Sequence, residues 1–172
     1  MSAPRDPRSH ATDATDATDA ITPDAIRWQW VPWSALDRDT LYTLLRLRAE
    51  VFVVEQRCLY LDLDGHDPAA WHLLGWHGDR LAACARVFPA GKKAPEHAIG
   101  RVVTAPFVRG RGLGRPLMRE AICRAEAEFG PGPSRVEAQA HLAGYYGSLG
   151  YRQVGGIYDE DGIPHITMIR PG

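Results

Sequence analysis

The chain has 172 residues, of which 45% are hydrophobic and 24% charged, and this length and composition predict one soluble globular domain with its own core. Its 20 Lys and Arg residues balance 21 Asp and Glu residues, for a formal net charge of −1. This balance excludes the basic excess of a general nucleic-acid or membrane-surface binder, so we expect neither partner.

The three cysteines, Cys58, Cys84 and Cys123, are widely spaced and form no CxxC pair. This pattern favours reduced, mostly buried thiols over disulfides or a zinc site. No apolar run reaches the length of a membrane span, and the N-terminus lacks the apolar stretch of a secretory signal peptide. We therefore expect a cytoplasmic protein that holds no metal.

Residues 1–23 differ in composition from the rest of the chain. Within them ATDATDATDA, 11–20, is a small polar repeat with almost nothing to bury. Such a segment predicts a disordered tail. The folded domain is expected over residues 24–172.

Hydrophobic periodicity and turn residues predict alternating strands and helices from residue 24 onward. The predicted elements are, in chain order, a strand at 25–33, a helix at 37–54, two strands within 71–89 around a Gly78–Asp79 turn, a strand at 97–106, a helix at 113–129, a strand at 135–142, a short helix at 142–150, and a hairpin at 151–170 turned by Asp161–Gly162. This order indicates an α/β (α+β) domain with a mixed, mostly antiparallel central sheet and helices on both faces.

The stretch FVRGRGLGRPLM, 107–118, lies between a predicted strand and a predicted helix. A helix N-terminus presents unpaired N–H groups and partial positive charge, and glycines let the backbone approach a ligand. Together they predict a phosphate site, although an arginine-rich surface turn is an equal alternative when this motif stands alone. We call this segment, 109–115, the glycine loop. The residues expected to hold phosphate are Arg109, Gly110, Arg111, Gly112, Gly114 and Arg115.

The glycine loop contains RxxGxG, and YYGSLGY follows at 145–151. This pair of motifs resembles the pyrophosphate loop and the F/Y-Y-x-x-x-G-F/Y signature of the GNAT superfamily of N-acetyltransferases. Four further stretches are similar to its ElaA-like branch, so the resemblance covers nearly everything from residue 34 to 170. They are LRLRAEVFVVEQ at 45–56, DLDGHD at 62–67, AQAHL at 138–142 and YDEDGIPHITM at 158–168.

The resemblance implies an N-acetyltransferase that takes acetyl-CoA as cosubstrate. A primary amine would attack the thioester directly, through a tetrahedral intermediate. Tyr146 would be the acid for the departing sulfur, and the backbone of Val102 and Val103 would pair with the pantetheine arm and serve the oxyanion. His141 is expected to touch the cofactor, with a structural histidine as an equal alternative.

The residue that accepts the proton from the amine is less well marked, because strand 97–106 offers no carboxylate. Glu55, Glu137 and His165 are candidates. We favour Glu55, which follows an apolar helical face, acting through water.

An acidic stretch, 159–161, together with Asp62 and Asp64, favours a cationic acceptor. A non-catalytic acyl-CoA-binding or sensing module is the alternative function, since it would keep the glycine loop but have no use for Tyr146. The sequence leaves open whether the amine belongs to a small molecule or a protein, and whether the chain forms a homodimer.

Overall fold

The computed structural model describes residues 22–57 and 60–172. The predicted disordered tail lies, apart from its last two residues, outside the described residues, as does Cys58. Cys84 is a buried free thiol whose pKa burial raises to about 12, whereas Cys123 is free but exposed. None of the helices in the described part of the chain is long and apolar enough to cross a membrane.

The elements predicted from periodicity are confirmed, with small differences at their ends. Strands β1 to β7 span Arg27–Pro32, Trp71–His77, Arg80–Phe88, His97–Thr104, Ser134–Gln139, Arg152–Glu160 and Ile163–Arg170. Helices α1 to α3 span Arg38–Arg48, Gly114–Phe129 and Ala143–Gly147. The strand predicted at 135–142 ends earlier, because Ala140–Leu142 forms a turn of 3-10 helix.

Helix α1 begins and ends in distinctive ways. The side chain of Asp37 accepts hydrogen bonds from the backbone N–H groups of Asp39 and Thr40, which caps the N-terminus. At its other end the helix continues as a π-helical segment, Ala49–Glu55. Such segments are rare and are frequent at functional sites.

The seven strands form one sheet in the order β1-β2-β3-β4-β5-β7-β6. Neighbours are antiparallel except β4 and β5, which run parallel. These two strands pair only at their first residues, His97 with Ser134 and Ala98 with Arg135. Beyond that point they no longer pair, so a cleft opens between their C-terminal ends.

Helices cover both faces of the sheet, as predicted. Every residue of β3 from Leu81 to Phe88 is buried, and successive strand residues point to opposite faces. Both α1 and α2 contact β3. The buried face of α2 has helical spacing and consists of Leu117, Met118, Ala121, Ile122 and Ala125.

Candidate active site

The cleft between β4 and β5 has a volume of about 820 Å³. Its walls include Val102 from β4, His141 from the turn after β5, and Tyr146 from α3. Arg109 lines it where the glycine loop begins. The fold thus brings side chains from both sequence motifs to one cavity.

The glycine loop has the backbone that a phosphate site requires. Gly110 and Gly112 have φ angles of 74° and 75°, which side-chain-bearing residues rarely adopt. A Cβ atom at either position would meet nothing within 4 Å, so this backbone faces open space. The loop leads into the first turn of α2, and no side chain within the described residues caps that turn. Uncapped N–H groups beside exposed Arg111 and Arg115 fit a pyrophosphate.

Gly114, the first residue of α2, connects the two motifs. A Cβ atom there would lie 3.1 Å from the hydroxyl oxygen of Tyr145. Glycine therefore allows the start of α2 to lie against α3, and this contact brings the glycine loop close to the tyrosine pair.

Tyr146 is the tyrosine of the pair that lines the cleft, and it is 6% exposed. Its ring makes edge contacts with Tyr145 and Tyr151, at centroid distances of 4.9 and 5.8 Å. Burial raises its pKa above the ordinary value for tyrosine. The phenol therefore keeps its proton at neutral pH and can donate a hydrogen bond.

Strand β4 is irregular where it borders the cleft. The register of its pairing with β3 shifts between Cys84 and Arg86, and Arg101 has a φ of 51°. Past this bulge Val102 faces the cleft, whereas the side chain of Val103 is buried in the core. A bulge next to a site re-aims the strand, and here it does so at the predicted pantetheine contact.

Glu55 lies at the end of the π-helical segment, outside the residues that line the cleft. Its Oε1 is 2.6 Å from Nη1 of Arg109, and both side chains are about half exposed. The neighbouring Gln56 accepts a hydrogen bond from Gln139 at the end of β5. Glu55 and the residue after it thus contact both sides of the cleft, and the favoured proton acceptor is held by an arginine of the glycine loop.

An ion-pair network holds the 60–69 segment against the cleft floor. The network joins three arginines to three aspartates, namely Arg48, Arg86, Arg101, Asp62, Asp64 and Asp67. Arg86 Nη2 lies 2.7 Å from Asp64 Oδ2, and Arg101 Nε lies 2.7 Å from Asp62 Oδ1. The expectation that Asp62 and Asp64 offer free negative charge to an acceptor is therefore wrong, because arginines neutralise both. The DLDGHD motif indicated acidic residues, but no local pattern identified their partners.

The network also shifts the pKa of its carboxyl groups. Burial disfavours ionisation of Asp64 and Asp67, but hydrogen bonds and charge from Arg86 and Arg48 outweigh it. The net effect lowers both pKa values. These aspartates stay ionised and paired over the physiological range.

The hairpin end of the cleft carries Glu160, Asp161 and His165. His165 Nδ1 lies 2.9 Å from the carbonyl oxygen of Ile163, a contact in which the ring N–H at Nδ1 donates. Glu160 Oε2 is 3.9 Å from that Nε2, and within the described residues no lysine or arginine pairs with Glu160 or Asp161. Glu137, the third candidate for the proton acceptor, also lines the cleft. Its Oε2 forms an ion pair with Nζ of Lys93 at 3.1 Å.

The sequence matches the profile of the family described as Acetyltransferase (GNAT) domain over residues 43–170. The chain belongs to the GNAT acetyltransferase family. The match includes the glycine loop, the tyrosine pair and the hairpin, and it begins after β1. The resemblance drawn from the two motifs is thereby confirmed.

Individual relatives agree with this assignment. The chain is 42% identical to ElaA of Escherichia coli over 147 residues, which cover 84% of this chain and 96% of ElaA. The crystal structure of that ElaA superposes with a TM-score of 0.79, covering 84% of this chain and 99% of that one. An acyl-CoA N-acyltransferase from Pseudomonas aeruginosa superposes with a TM-score of 0.81 at 41% identity, covering 84% and 99% of the two chains. This GNAT protein is thus an acyltransferase that uses acyl-CoA.

Proposed function

We propose that this GNAT protein transfers an acetyl group from acetyl-CoA to a primary amine bound in the cleft between β4 and β5. The observation that carries the proposal is the meeting of three features at one cavity. They are the glycine loop at the uncapped start of α2, the bulged edge of β4, and the buried Tyr146.

The cosubstrate would be bound mainly by backbone. The amides of Gly110, Gly112 and Gly114 would hold the pyrophosphate, and Arg109, Arg111 and Arg115 would add charge. The pantetheine arm would lie along β4 at Val102 and Val103, as an added strand does. His141, which lines the opposite wall, would contact the same arm.

The thioester of acetyl-CoA supplies the acyl group, and the protein supplies proton donors and orientation. Tyr146 would donate a hydrogen bond to the departing sulfur. Its hydroxyl has no hydrogen-bond partner within the described residues, so this donor is available to a ligand. Since burial raises the pKa of the phenol, Tyr146 remains a donor throughout the neutral range.

Two residues are proposed to take the proton from the amine, and the structure supports them in different ways. Glu55 would act through water. Its carboxylate would first leave the ion pair with Arg109 and would then accept the proton that the water takes from the amine. His165 already presents Nε2 on the acceptor side of the cleft, with its ring fixed by the Ile163 carbonyl. The variants Glu55→Gln and His165→Asn distinguish the two candidates. Only loss of the true proton acceptor should abolish the rise of kcat/KM with pH.

The acceptor is proposed to carry positive charge beyond the reacting amine. Asp161 and Glu160 remain at the hairpin end of the cleft without a lysine or arginine partner among the described residues. A panel of amines of equal length with a cationic, neutral or anionic far end tests this. Asp161→Asn should reduce the preference for the cationic amine, and a wild-type preference for neutral or anionic amines would contradict the proposal.

Calorimetric titration with acetyl-CoA, followed by an assay of free thiol released from it, tests the function itself. Dephospho-CoA and ATP serve as controls for recognition of the nucleotide alone. Saturable binding with amine-dependent thiol release supports the acetyltransferase. Binding without release from any amine would instead favour the non-catalytic module, and absence of binding would contradict both.

A further inference from the structure

Strand β6 is the outer edge of the sheet, and all nine of its residues are exposed. Three of them are large and apolar, with Val154 50%, Ile157 66% and Tyr158 37% exposed. The opposite edge, β1, is mostly half-buried. An edge strand presents unpaired N–H and C=O groups, and an exposed apolar edge is a template for pairing with another strand.

We propose that β6 pairs antiparallel with β6 of a second copy of this chain, about a twofold axis through Gly156. This register is distinguished by the sequence RQVGGIYDE, which is complementary to itself when reversed about Gly156. It places Arg152 opposite Glu160 of the second copy, Gln153 opposite Asp159, and Val154 opposite Tyr158. The dimer would therefore contain a charged, a polar and an apolar cross-strand pair, with both residue types of each pair present in the same strand. The twofold axis forms each pair twice.

The two members of each pair also lie on the same face of the sheet. Arg152, Val154, Tyr158 and Glu160 face alternate residues of β7, namely Ile169, Thr167, His165 and Ile163. Alternate residues of a strand share a face, so these four side chains point to one side. The twofold axis is perpendicular to the sheet, and the two sheets would continue into each other with both clefts on one side.

The irregular middle of β6 fits the same axis. Its pairing with β7 shifts between Val154 and Tyr158, and Gly155 has a φ of 77°. A bulge ordinarily protects an edge against pairing in an arbitrary register. With the axis at Gly156 the bulge faces its own copy, and the regular segments 152–154 and 158–160 face each other. The bulge thus selects this register against others.

The second copy would complete the acceptor end of the cleft. The Tyr158 ring lies 6.1 Å from the ring of His165, which lines the cleft. Val154 of the second copy would cover the exposed part of Tyr158, and Arg152 of the second copy would neutralise Glu160. Asp161 would then carry the remaining negative charge toward the acceptor.

Charge reversal tests the pairing without reference to catalysis. We expect a concentration-dependent dimer in sedimentation equilibrium of the full chain. Arg152→Glu and Glu160→Arg should each weaken it roughly tenfold or more, since each change replaces two attractions by two repulsions. The double variant R152E/E160R should restore it. Exposed residues outside β6 provide matched controls, Arg38→Glu and Glu128→Arg, which should leave the dimer unchanged.

A cysteine on the axis tests the register directly. Gly156 has an ordinary φ, and a Cβ atom there meets nothing within 4 Å, so Gly156→Cys should fold. Because Cys123 is exposed, the experiment uses a Cys123→Ser background. Mild oxidation should join Gly156→Cys to its own copy, whereas Gln153→Cys, which would face Asp159, should stay unlinked.

Three results would overturn the proposal. The first is a monomer at every concentration, and the second is a dimer that is indifferent to both charge reversals. The third is a Gly156→Cys variant that crosslinks no better than Gln153→Cys. None depends on acyl transfer, so failure here is distinguishable from failure of the proposed function.

Discussion

Arg109 Nη1 and Glu55 Oε1 form an ion pair 2.6 Å long between the glycine loop and the π-helical segment after α1. Arg109 Nε also lies 3.3 Å from the carbonyl oxygen of Thr104, which fixes the guanidinium near the end of β4. The arginine expected to bind pyrophosphate is thus held by the carboxylate expected to take a proton. We therefore expect binding of CoA to be coupled to release of Glu55 from Arg109.

The coupling predicts that Glu55→Gln strengthens CoA binding, because Arg109 no longer exchanges a carboxylate for the pyrophosphate. An exposed pair of this kind contributes up to about 1 kcal/mol, so the Kd for CoA should fall up to about fivefold. Calorimetry at low salt measures the change, and exposed Glu50→Gln is the control for lost charge. An unchanged Kd would show that the pair does not oppose CoA. A loss of kcat alongside tighter binding would support Glu55 as the proton acceptor.

Tyr146→Phe is predicted to lower kcat by about 100-fold, the lower range for loss of a general acid, with an unchanged Kd for acetyl-CoA. The adjacent Tyr145→Phe is the matched control, because Tyr145 lies outside the residues that line the cleft. Single-turnover thiol release and calorimetry give the two quantities. Equal activities of Y146F and wild type would remove Tyr146 from the mechanism.

The pH profile gives an independent check on Tyr146. Burial raises its pKa, so the proton is lost only above the ordinary value of about 10. The protonated phenol persists as pH rises. Between about pH 8 and pH 9.5 we therefore expect the kcat of the wild-type protein to show no decline other than one that Y146F also shows. A decline in that window that disappears in the variant would mean that the phenol ionises earlier than its environment implies.

Gly112→Ala is predicted to weaken acetyl-CoA binding and to destabilise the fold slightly. Alanine at a φ of 75° is strained by roughly 1–2 kcal/mol, and relief of that strain would turn the loop amides away from the pyrophosphate. Calorimetry and denaturant unfolding report the two effects. Gly144→Ala, which adds a methyl group at an ordinary φ with nothing within 4 Å, is the control for stability. A variant with lower stability but undiminished affinity would show that the loop amides do not bind the phosphate.

Local pattern predicted most of the fold. The apolar face of α2, including Leu117 and Ala121, repeats at helical spacing, and the turns at Gly78 and Gly162 follow from residues that accept positive φ. The backbone of the glycine loop was equally predictable, because one strand end, one loop and one helix start build it, whereas its binding of phosphate stays a prediction. All of these signals lie within a few residues of one another.

Features that depend on distant partners could not be predicted in this way. Asp62 and Asp64 were expected to attract a cation, since nothing in their neighbourhood shows that Arg86 and Arg101 neutralise them. The separation of β4 from β5 depends on pairing that stops after Ala98. The change to π-helix before Glu55 left no periodic signal distinct from an α-helix.

The buried network predicts a steep loss of stability when one arginine is removed. Arg48 is 1% exposed and contacts both Asp62 and Asp67. Arg48→Met leaves those carboxylates buried with too little positive charge, which should cost about 3–5 kcal/mol of the free energy of unfolding. Arg48→Lys keeps the charge but loses the planar fork, and should be milder. Arg38→Met, at a side chain that is 95% exposed, is the control and should change stability by less than about 0.5 kcal/mol.

The same network predicts how wild-type stability depends on pH. Because the folded-state pKa of Asp67 is lowered, its stabilising effect is complete above the unfolded value of about 3.9 and is lost as pH falls through the folded-state pKa. Wild-type stability should therefore decrease below about pH 4, and R48M should show a shallower decrease, because Asp67 has then lost one of its two arginines. Denaturant unfolding from about pH 7 down to pH 3 measures both slopes. Parallel slopes in the two proteins would mean that the acid sensitivity arises from carboxylates outside this network.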